Sequence, residues 1–382
     1  FGHELIVNRP GRRSVKPIGN NKCLAQDVML STFESERSVV LHVGMHKTAS
    51  TYIQKCLRKN LQLLRHKGFI TPDIRRKNTE LVRSLDTGNM NKWTEWLDIA
   101  AKANCHLLIS HEAFSITLCE PATGTKIPKG LWLADQLKSM GWRLKIIGFI
   151  RSQESYLNSR YTQLAKRLRV GSDFKTYATN TMRSTTISEC NLMTLFGWIK
   201  EDSSIRVSMI PFASARDQHG KVIQRRGDPF EQFAQALGLP PATISRLQLA
   251  KAINQQPGQI GVKLAIEIYQ LMHQQYRAEL QKNRKDLSTA IEDLAIKKKW
   301  HRTPFNGLTT QLQQQIRDHY RESNQKFCQT FWPNQTWEQL YPAAQIGEEP
   351  QGISKESINL TILCNNIIAN TLPKQEISLP GA

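Results

Sequence analysis

A lysine and three hydroxyl side chains stand together in a predicted turn near the start of the chain. The apolar run from Val39 to Val43 predicts a strand, Gly44 a tight turn, and the residues from about Ser50 a helix. The motif His46-Lys-Thr-Ala-Ser-Thr51 lies between strand and helix. A helix N-terminus offers unpaired N–H groups and the positive end of the helix dipole, and a lysine adds a mobile charge. The motif therefore predicts a phosphate-binding loop.

The spacing of this loop differs from that of the nucleotide-binding motif G-x-x-x-x-G-K-[ST]. Gly44 is its only glycine, and it stands three residues before Lys47. The loop is thus shorter than a Walker loop. An ordinary strand-to-helix turn that happens to contain a lysine is the alternative interpretation.

A second stretch supplies an arginine at the end of another strand. The apolar segment from Arg143 to Ile150 predicts a strand that ends at Arg151, and Ser152 is a predicted N-cap for a helix reaching about Leu168. Ser159 lies on nearly the same helix face as Ser152, because seven residues almost complete two turns. A guanidinium and a hydroxyl are therefore predicted to converge on one phosphate.

Polar side chains also follow a third apolar segment, Cys105-His-Leu-Leu-Ile-Ser-His-Glu112. It is typical of a buried parallel strand, and ligands bind at the carboxyl ends of such strands. His111 and Glu112 are the first candidates for a general base, and His46 is the third. The alternatives are that Glu112 pairs with a basic neighbour, that His111 caps the next helix, and that His46 only packs against the loop.

The alternation of strands and helices predicts an α/β fold in three layers, with a central parallel sheet flanked by helices and a helical C-terminal part. The expected organisation is an irregular basic leader at 1–37, one domain at 38–342 and a loosely attached polar tail at 343–382. Within the domain, the sheet core covers 38–212 and the helical part 228–335.

The composition limits the classes of partner and the cellular compartment that we expect. The chain has 382 residues and a formal net charge of +20, which implies an anionic partner. Seven cysteines without metal spacing indicate reduced, mostly buried thiols, and no metal site is predicted. Because neither a membrane span nor a signal peptide is visible, we expect a cytoplasmic protein, with membrane association as an alternative and the Golgi lumen if an upstream anchor has been removed.

Taken together, the two anion-binding stretches resemble the sulfotransferase family that uses 3′-phosphoadenosine 5′-phosphosulfate (PAPS). The resemblance rests on His46-Lys-Thr-Ala-Ser-Thr51 and Arg151…Ser159 and is closest to the bacterial branch associated with carbohydrate acceptors. It implies a P-loop-like fold in which Lys47, Thr48, Ala49, Ser50 and Thr51 bind the 5′-phosphosulfate, while Arg151 and Ser159 bind the 3′-phosphate. It also implies transfer to a hydroxyl of a polysaccharide, oligosaccharide or glycolipid, with adenosine 3′,5′-bisphosphate (PAP) as product.

The sequence departs from this family at two points. Ala49 stands where a glycine is usual, which is harmless only if the loop does not need a positive φ at that residue. The glycine-rich C-terminal cofactor loop of the cytosolic branch is missing, and the basic segment 297–302 is the candidate for its replacement. The alternative for that segment is a solvated surface loop.

Two other functions remain open at this level. A P-loop kinase or NTPase is one. Such an enzyme should show the full Walker spacing and an aspartate for magnesium, and this sequence shows neither. A non-enzymatic binder of acidic polysaccharide or nucleic acid is the other, although its basic residues should interleave with aromatic ones, whereas here they are dispersed. We therefore expect no nucleic-acid partner, and the sequence predicts no particular oligomeric state.

Overall fold

The computed structural model describes residues 36–72, 76–184, 189–212, 214–216, 222–225, 227–251, 256–344, 346 and 359–372. The chain divides into two compact units, Phe1–Glu36 and Arg37–Ala382, and every element below belongs to the second. The predicted basic leader, apart from its last two residues, and much of the predicted tail lie outside the described residues.

A five-stranded sheet forms the centre of this unit. Its strands are β1 (Ser38–Gly44), β2 (Phe69–Ile70), β3 (His106–Ser110), β4 (Arg143–Ile150) and β5 (Arg206–Pro211). Their order is β2-β3-β1-β4-β5, and every neighbouring pair is parallel. The predicted α/β class with a parallel sheet is therefore confirmed. A separate antiparallel pair consists of β6 (Ser214–Arg216) and β7 (Val222–Arg225).

Helices cover the sheet and build the C-terminal part. Those of the first half are α1 (Ser50–Lys59), α2 (Leu61–His66), α3 (Arg76–Asp86), α4 (Asn91–Lys102), α5 (Phe114–Thr117), α6 (Lys129–Ser139), α7 (Gln153–Lys166), α8 (Phe174–Arg183) and α9 (Leu192–Phe196), which runs into a 3₁₀ turn at Gly197–Glu201. Those of the second half are α10 (Pro229–Leu237), α11 (Pro241–Ile244), α12 (Gly258–Gln275), α13 (Arg277–Lys297), a 3₁₀ turn at Trp300–Arg302, α14 (Thr310–Phe331), α15 (Trp337–Leu340) and α16 (Leu360–Thr371). In the described part of the chain, none of these helices combines the length and apolar character needed to cross a membrane.

The sheet is buried on both faces, which explains the unbroken apolar runs of its strands. Because side chains alternate along a strand, Val39, Leu41 and Val43 enter one hydrophobic core, while Val40 enters the other. The first core includes residues of α3, α4, α6 and α14, and the second includes residues of α1 and α10. Six cysteines lie in the described part as free thiols, five of them buried, as predicted.

The C-terminal segment corrects one expectation. The sequence predicts a loosely attached tail after residue 342, but residues 360–371 form α16, which packs on α12 and α13. Cys364, Ile367 and Ile368 are buried in a third hydrophobic cluster. The apolar side chains of this segment pack against α12 and α13, and the sequence of the segment alone does not indicate these partners.

The strand order contains one point at which the connections of two neighbouring strands, β1 and β4, diverge. The chain leaving β1 travels towards β2 and β3, whereas the chain leaving β4 travels to β5 on the other side. In open α/β sheets, ligands bind outside the carboxyl ends of two strands whose connections diverge in this way. The loop after β1 and Arg151 after β4 lie at this point.

Candidate anion-binding and active site

The loop between β1 and α1 is shaped to receive an anion. Lys47 and Ala49 both adopt left-handed backbone conformations, with φ of 66° and 65°. Within the described part of the chain, the backbone N–H groups from His46 to Tyr52 make no backbone–backbone hydrogen bond of normal geometry. Successive N–H groups in such a turn form a concave anion-binding nest, and the N-terminus of α1 adds its dipole. The predicted strand, loop and helix are thus present in the predicted order.

Gly44 lets two strand ends approach each other closely. Its φ is 82°, and a Cβ placed there would lie 3.1 Å from the Cβ of Glu112, so both backbone conformation and space favour glycine. The next residue, Met45, donates its N–H to the carbonyl of Phe149 at 3.1 Å. The loop is therefore held against the ends of both β3 and β4.

The sequence alone does not decide whether the loop needs a positive φ at Ala49. Ala49 is the N-cap residue of α1, with φ 65° and ψ 16°, so the loop does require the left-handed conformation that favours glycine. Its methyl group also cannot accept the hydrogen bonds that serine or aspartate would accept at an N-cap. The first N–H groups of α1 therefore remain available to a ligand.

The three loop hydroxyls have different environments. Thr48 is buried and donates its hydroxyl proton to the carbonyl of Met45 at 2.6 Å, so it closes the turn. Ser50 is buried as well, but its Oγ has no hydrogen-bond partner among the described residues. Thr51 is exposed in the first turn of α1. Ser50 is thus the hydroxyl whose bonding remains incomplete without a ligand.

Arg151 joins the second stretch to the first. Its Nη1 donates to the carbonyl of Lys47 at 2.9 Å, and its Nε donates to Ser155 Oγ at 2.8 Å. This contact places Arg151 against the loop, whereas the sequence argument paired Arg151 with Ser159. Ser152 holds the N-cap position of α7, but its side chain makes no capping hydrogen bond.

The serine that contacts Arg151 is one that the sequence argument missed. Ser159 is buried one turn beyond Ser155, and residues four apart share a helix face. Ser155 and Ser159 therefore form a short row behind Arg151. The i, i+4 spacing of the two serines was the available signal.

Lys47 is surrounded by other cationic side chains. Burial is the largest cause that lowers the pKa of Lys47 to about 8, and the charges of Arg151, Arg167, Arg160 and Lys166 contribute the rest in that order. These neighbours are all cations, so each disfavours the charged lysine. A bound anion would remove this repulsion.

Two of the cations on α7 already have acidic partners. Arg160 lies 3.5 Å from Glu189, and Lys166 lies 2.8 Å from Glu292. Their charges are partly balanced within the protein. Lys47 and Arg151, which lie at the loop itself, are the cations best placed to contact an anion in the nest.

Both ring nitrogens of His111 make contacts with neighbouring residues. Its Nδ1 accepts the N–H of Ala113 at 3.2 Å, and its Nε2 lies 3.2 Å from Thr79 Oγ1. Burial lowers the pKa of His111, with Glu112 opposing, so the imidazole is neutral at pH 7. Both nitrogens are occupied, and His111 matches the helix-capping alternative better than the role of base.

Glu112 is the remaining carboxylate at the crevice. Its Oε2 accepts from Gln54 Nε2 at 3.2 Å. Burial acts to raise the pKa of Glu112, but its own backbone N–H, His111 and His46 outweigh burial and hold that pKa below its ordinary value. A carboxylate that is ionised at neutral pH and partly buried is able to accept a proton from a bound hydroxyl.

His46 lies in the field of the same carboxylate. Burial lowers the pKa of His46, while the charge of Glu112 acts in the opposite direction. The structure therefore brings His46, Lys47, Glu112 and Arg151 to one edge of the sheet. No protein-family model, curated protein or solved structure matches this chain. The case for a function depends on the residues of this site.

Proposed function

We propose that this protein is a PAPS-dependent sulfotransferase that transfers a sulfuryl group to a hydroxyl of a carbohydrate acceptor. The observation that carries the proposal is the 2.9 Å hydrogen bond from Arg151 Nη1 to the carbonyl of Lys47. It joins two anion-binding elements that lie 104 residues apart in the sequence. A donor that carries both a 5′-phosphosulfate and a 3′-phosphate has one anionic group for each element.

The residues present fit such a donor. The nest from His46 to Tyr52 and the ammonium of Lys47 would hold the phosphosulfate, and the buried Ser50 hydroxyl would gain a partner. Arg151, with Ser155 and Ser159 behind it, would hold the 3′-phosphate. These are charge-assisted contacts, which are the stronger class of hydrogen bond.

The proposed reaction is an in-line displacement at sulfur. The acceptor oxygen forms a bond to sulfur, the bond from sulfur to the 5′-phosphate oxygen breaks, and the acceptor proton passes to the carboxylate of Glu112. Lys47 and the loop N–H groups stabilise the negative charge that develops on the departing phosphate oxygen. Positioning and charge stabilisation supply most of the rate enhancement in such transfers, so no covalent enzyme intermediate is needed.

The short loop favours a phosphosulfate over a triphosphate. A Walker loop wraps a longer stretch of backbone around the β- and γ-phosphates, whereas the loop after Gly44 places Lys47 only three residues on. The fold would then be a P-loop-like one with a shortened cradle. The cationic surroundings of Lys47 also suit an acceptor that is itself anionic.

A thermal-shift experiment tests the donor class. Adenosine 3′,5′-bisphosphate at about 100 times its Kd should raise the Tm by roughly 4 °C for a domain of this size. Adenosine 5′-monophosphate serves as the control that lacks the 3′-phosphate, and it should stabilise less. Stabilisation by ATP with magnesium and not by the bisphosphate would overturn the proposal. Transfer of radiolabelled sulfate from PAPS to a panel of polysaccharides would then identify the acceptor.

A further inference from the structure

One amide group connects the helix of the anion loop to the end of the neighbouring strand. Gln54 lies on α1, one turn after Ser50, and is partly buried. Its Nε2 lies 3.3 Å from the carbonyl of Ser110 and 3.2 Å from Glu112 Oε2. The side chain thus bridges the last residue of β3 and the carboxylate that follows it.

Apart from the backbone N–H of Glu112 itself, the other groups near this carboxylate do not hold it by hydrogen bonds in the described part of the chain. His111 has both ring nitrogens occupied by Ala113 and Thr79, and His46 only lies within the electrostatic field of the Glu112 carboxylate. His42 faces the same region, but its Nδ1 pairs with Ser110 Oγ at 2.7 Å and burial keeps the ring neutral. Among the described residues, Gln54 is the side chain that donates a hydrogen bond to this carboxylate.

The carbonyl of Ser110 is fixed from a second side. Asn78 is buried on α3 and donates its Nδ2 to this carbonyl at 3.0 Å. Gln54 on α1 and Asn78 on α3 therefore both donate hydrogen bonds to the carbonyl at the end of β3. Because the carbonyl cannot move freely, the amide of Gln54 has a fixed anchor from which it reaches Glu112.

We propose that Gln54 is a positioning residue that orients the carboxylate of Glu112 to receive the acceptor proton. The inference rests on the proposed function of the site. A hydrogen bond donated to the charged form of a carboxyl favours that form, and Gln54 supplies one. Since α1 begins at the proposed donor-binding loop and carries Gln54, one helix would both bind the donor and orient Glu112.

The test compares Gln54→Met with a matched control. Methionine is close to glutamine in length but cannot donate a hydrogen bond, and Gln62→Met makes the same change at an exposed position of α2. The carboxyl ¹³C resonance of Glu112, assigned with Glu112→Gln, is followed against pH by NMR. We expect the pKa of Glu112 to rise in Gln54→Met and to stay unchanged in Gln62→Met.

Kinetics supply the second measurement. In Gln54→Met, kcat at neutral pH should fall roughly tenfold, and the acidic limb of the pH–rate profile should move to higher pH. The KM for PAPS and the affinity for adenosine 3′,5′-bisphosphate should stay unchanged, which also reports that the loop is folded. Gln54→Asn, whose shorter amide does not reach Glu112, is the second variant and should shift the pKa in the same direction.

The outcomes separate the two proposals. An unchanged pKa of Glu112 and an unchanged pH profile in an active Gln54→Met enzyme would overturn the role of Gln54 and leave the sulfotransferase proposal standing. A wild-type protein that neither binds the bisphosphate nor transfers sulfate would overturn the proposed function, and the proton-accepting role of this pair with it.

Discussion

Replacing Ala49 by glycine should stabilise the protein. Ala49 has a φ of 65°, which lies in the left-handed region. An L-residue in that region pays about 1–2 kcal/mol because its Cβ crowds the following carbonyl oxygen. Glycine has no such contact, so Ala49→Gly removes this strain from the folded state.

The gain in the free energy of unfolding is partly offset by an effect of glycine on the unfolded state. Glycine makes the unfolded state more flexible than alanine does, which opposes folding by about 0.4–1 kcal/mol. The two effects together predict an increase in the free energy of unfolding of roughly 0.5–1 kcal/mol. An ordinary helical alanine carries only the second effect, together with the poorer helix propensity of glycine, and should therefore lose stability.

Urea denaturation measures the difference. The midpoint should move to higher urea at an unchanged m-value for Ala49→Gly. Ala278→Gly is the matched control, because Ala278 is exposed near the start of α13, and it should lower the free energy of unfolding by up to about 1 kcal/mol. If both substitutions destabilise the protein equally, Ala49 is not strained and the description of the loop is wrong.

Four further predictions concern the charged groups of the site. Lys47→Ala should lower turnover by roughly 10²–10³-fold with little loss of stability, because Lys47 serves the loop and not a core; a variant that keeps its activity in the sulfate-transfer assay would contradict this role. Arg151→Ala should weaken adenosine 3′,5′-bisphosphate far more than adenosine 5′-phosphosulfate in calorimetric titrations, and equal losses for the two ligands would argue against a contact with the 3′-phosphate. Burial and cationic neighbours lower the pKa of Lys47 from 10.5 to about 8, so bisphosphate affinity should fall as pH rises above about 8, and Lys47→Arg should abolish this decline. In the same window, from about 8 to 10.5, the unfolded chain binds more protons than the folded one at Lys47, so this lysine should make the unliganded protein more stable as pH rises.

The main elements of the fold could be predicted from local pattern. Val39 to Val43 and Arg143 to Ile150 are short apolar runs bounded by turn residues, and such runs become buried strands when helices cover both faces of a sheet. Gly141 and Gly238 each follow a helix closely with a positive φ, and a glycine in the sequence is the local signal for such a helix end.

Other features of the site depend on contacts between distant segments. The hydrogen bond from Gln54 to Glu112 spans 58 residues, and no local periodicity encodes it. His111 was an equal candidate for the base until the positions of Ala113 and Thr79 showed both ring nitrogens to be occupied. The packing of α16 on α12 and α13 likewise depends on distant contacts, because an apolar segment does not specify its partner.

The sequence by itself determined that Lys47 and Arg151 follow two strands and that hydroxyl residues open a helix beside the first. These facts follow from residue order and from the two-residue and 3.6-residue periods of strands and helices. Only the tertiary structure decided that Ala49 must be left-handed, that Ser155 contacts Arg151, and that Gln54 reaches Glu112. Backbone dihedrals in a loop and contacts between separate elements depend on how the sheet and helices pack, and that packing is a property of the whole chain.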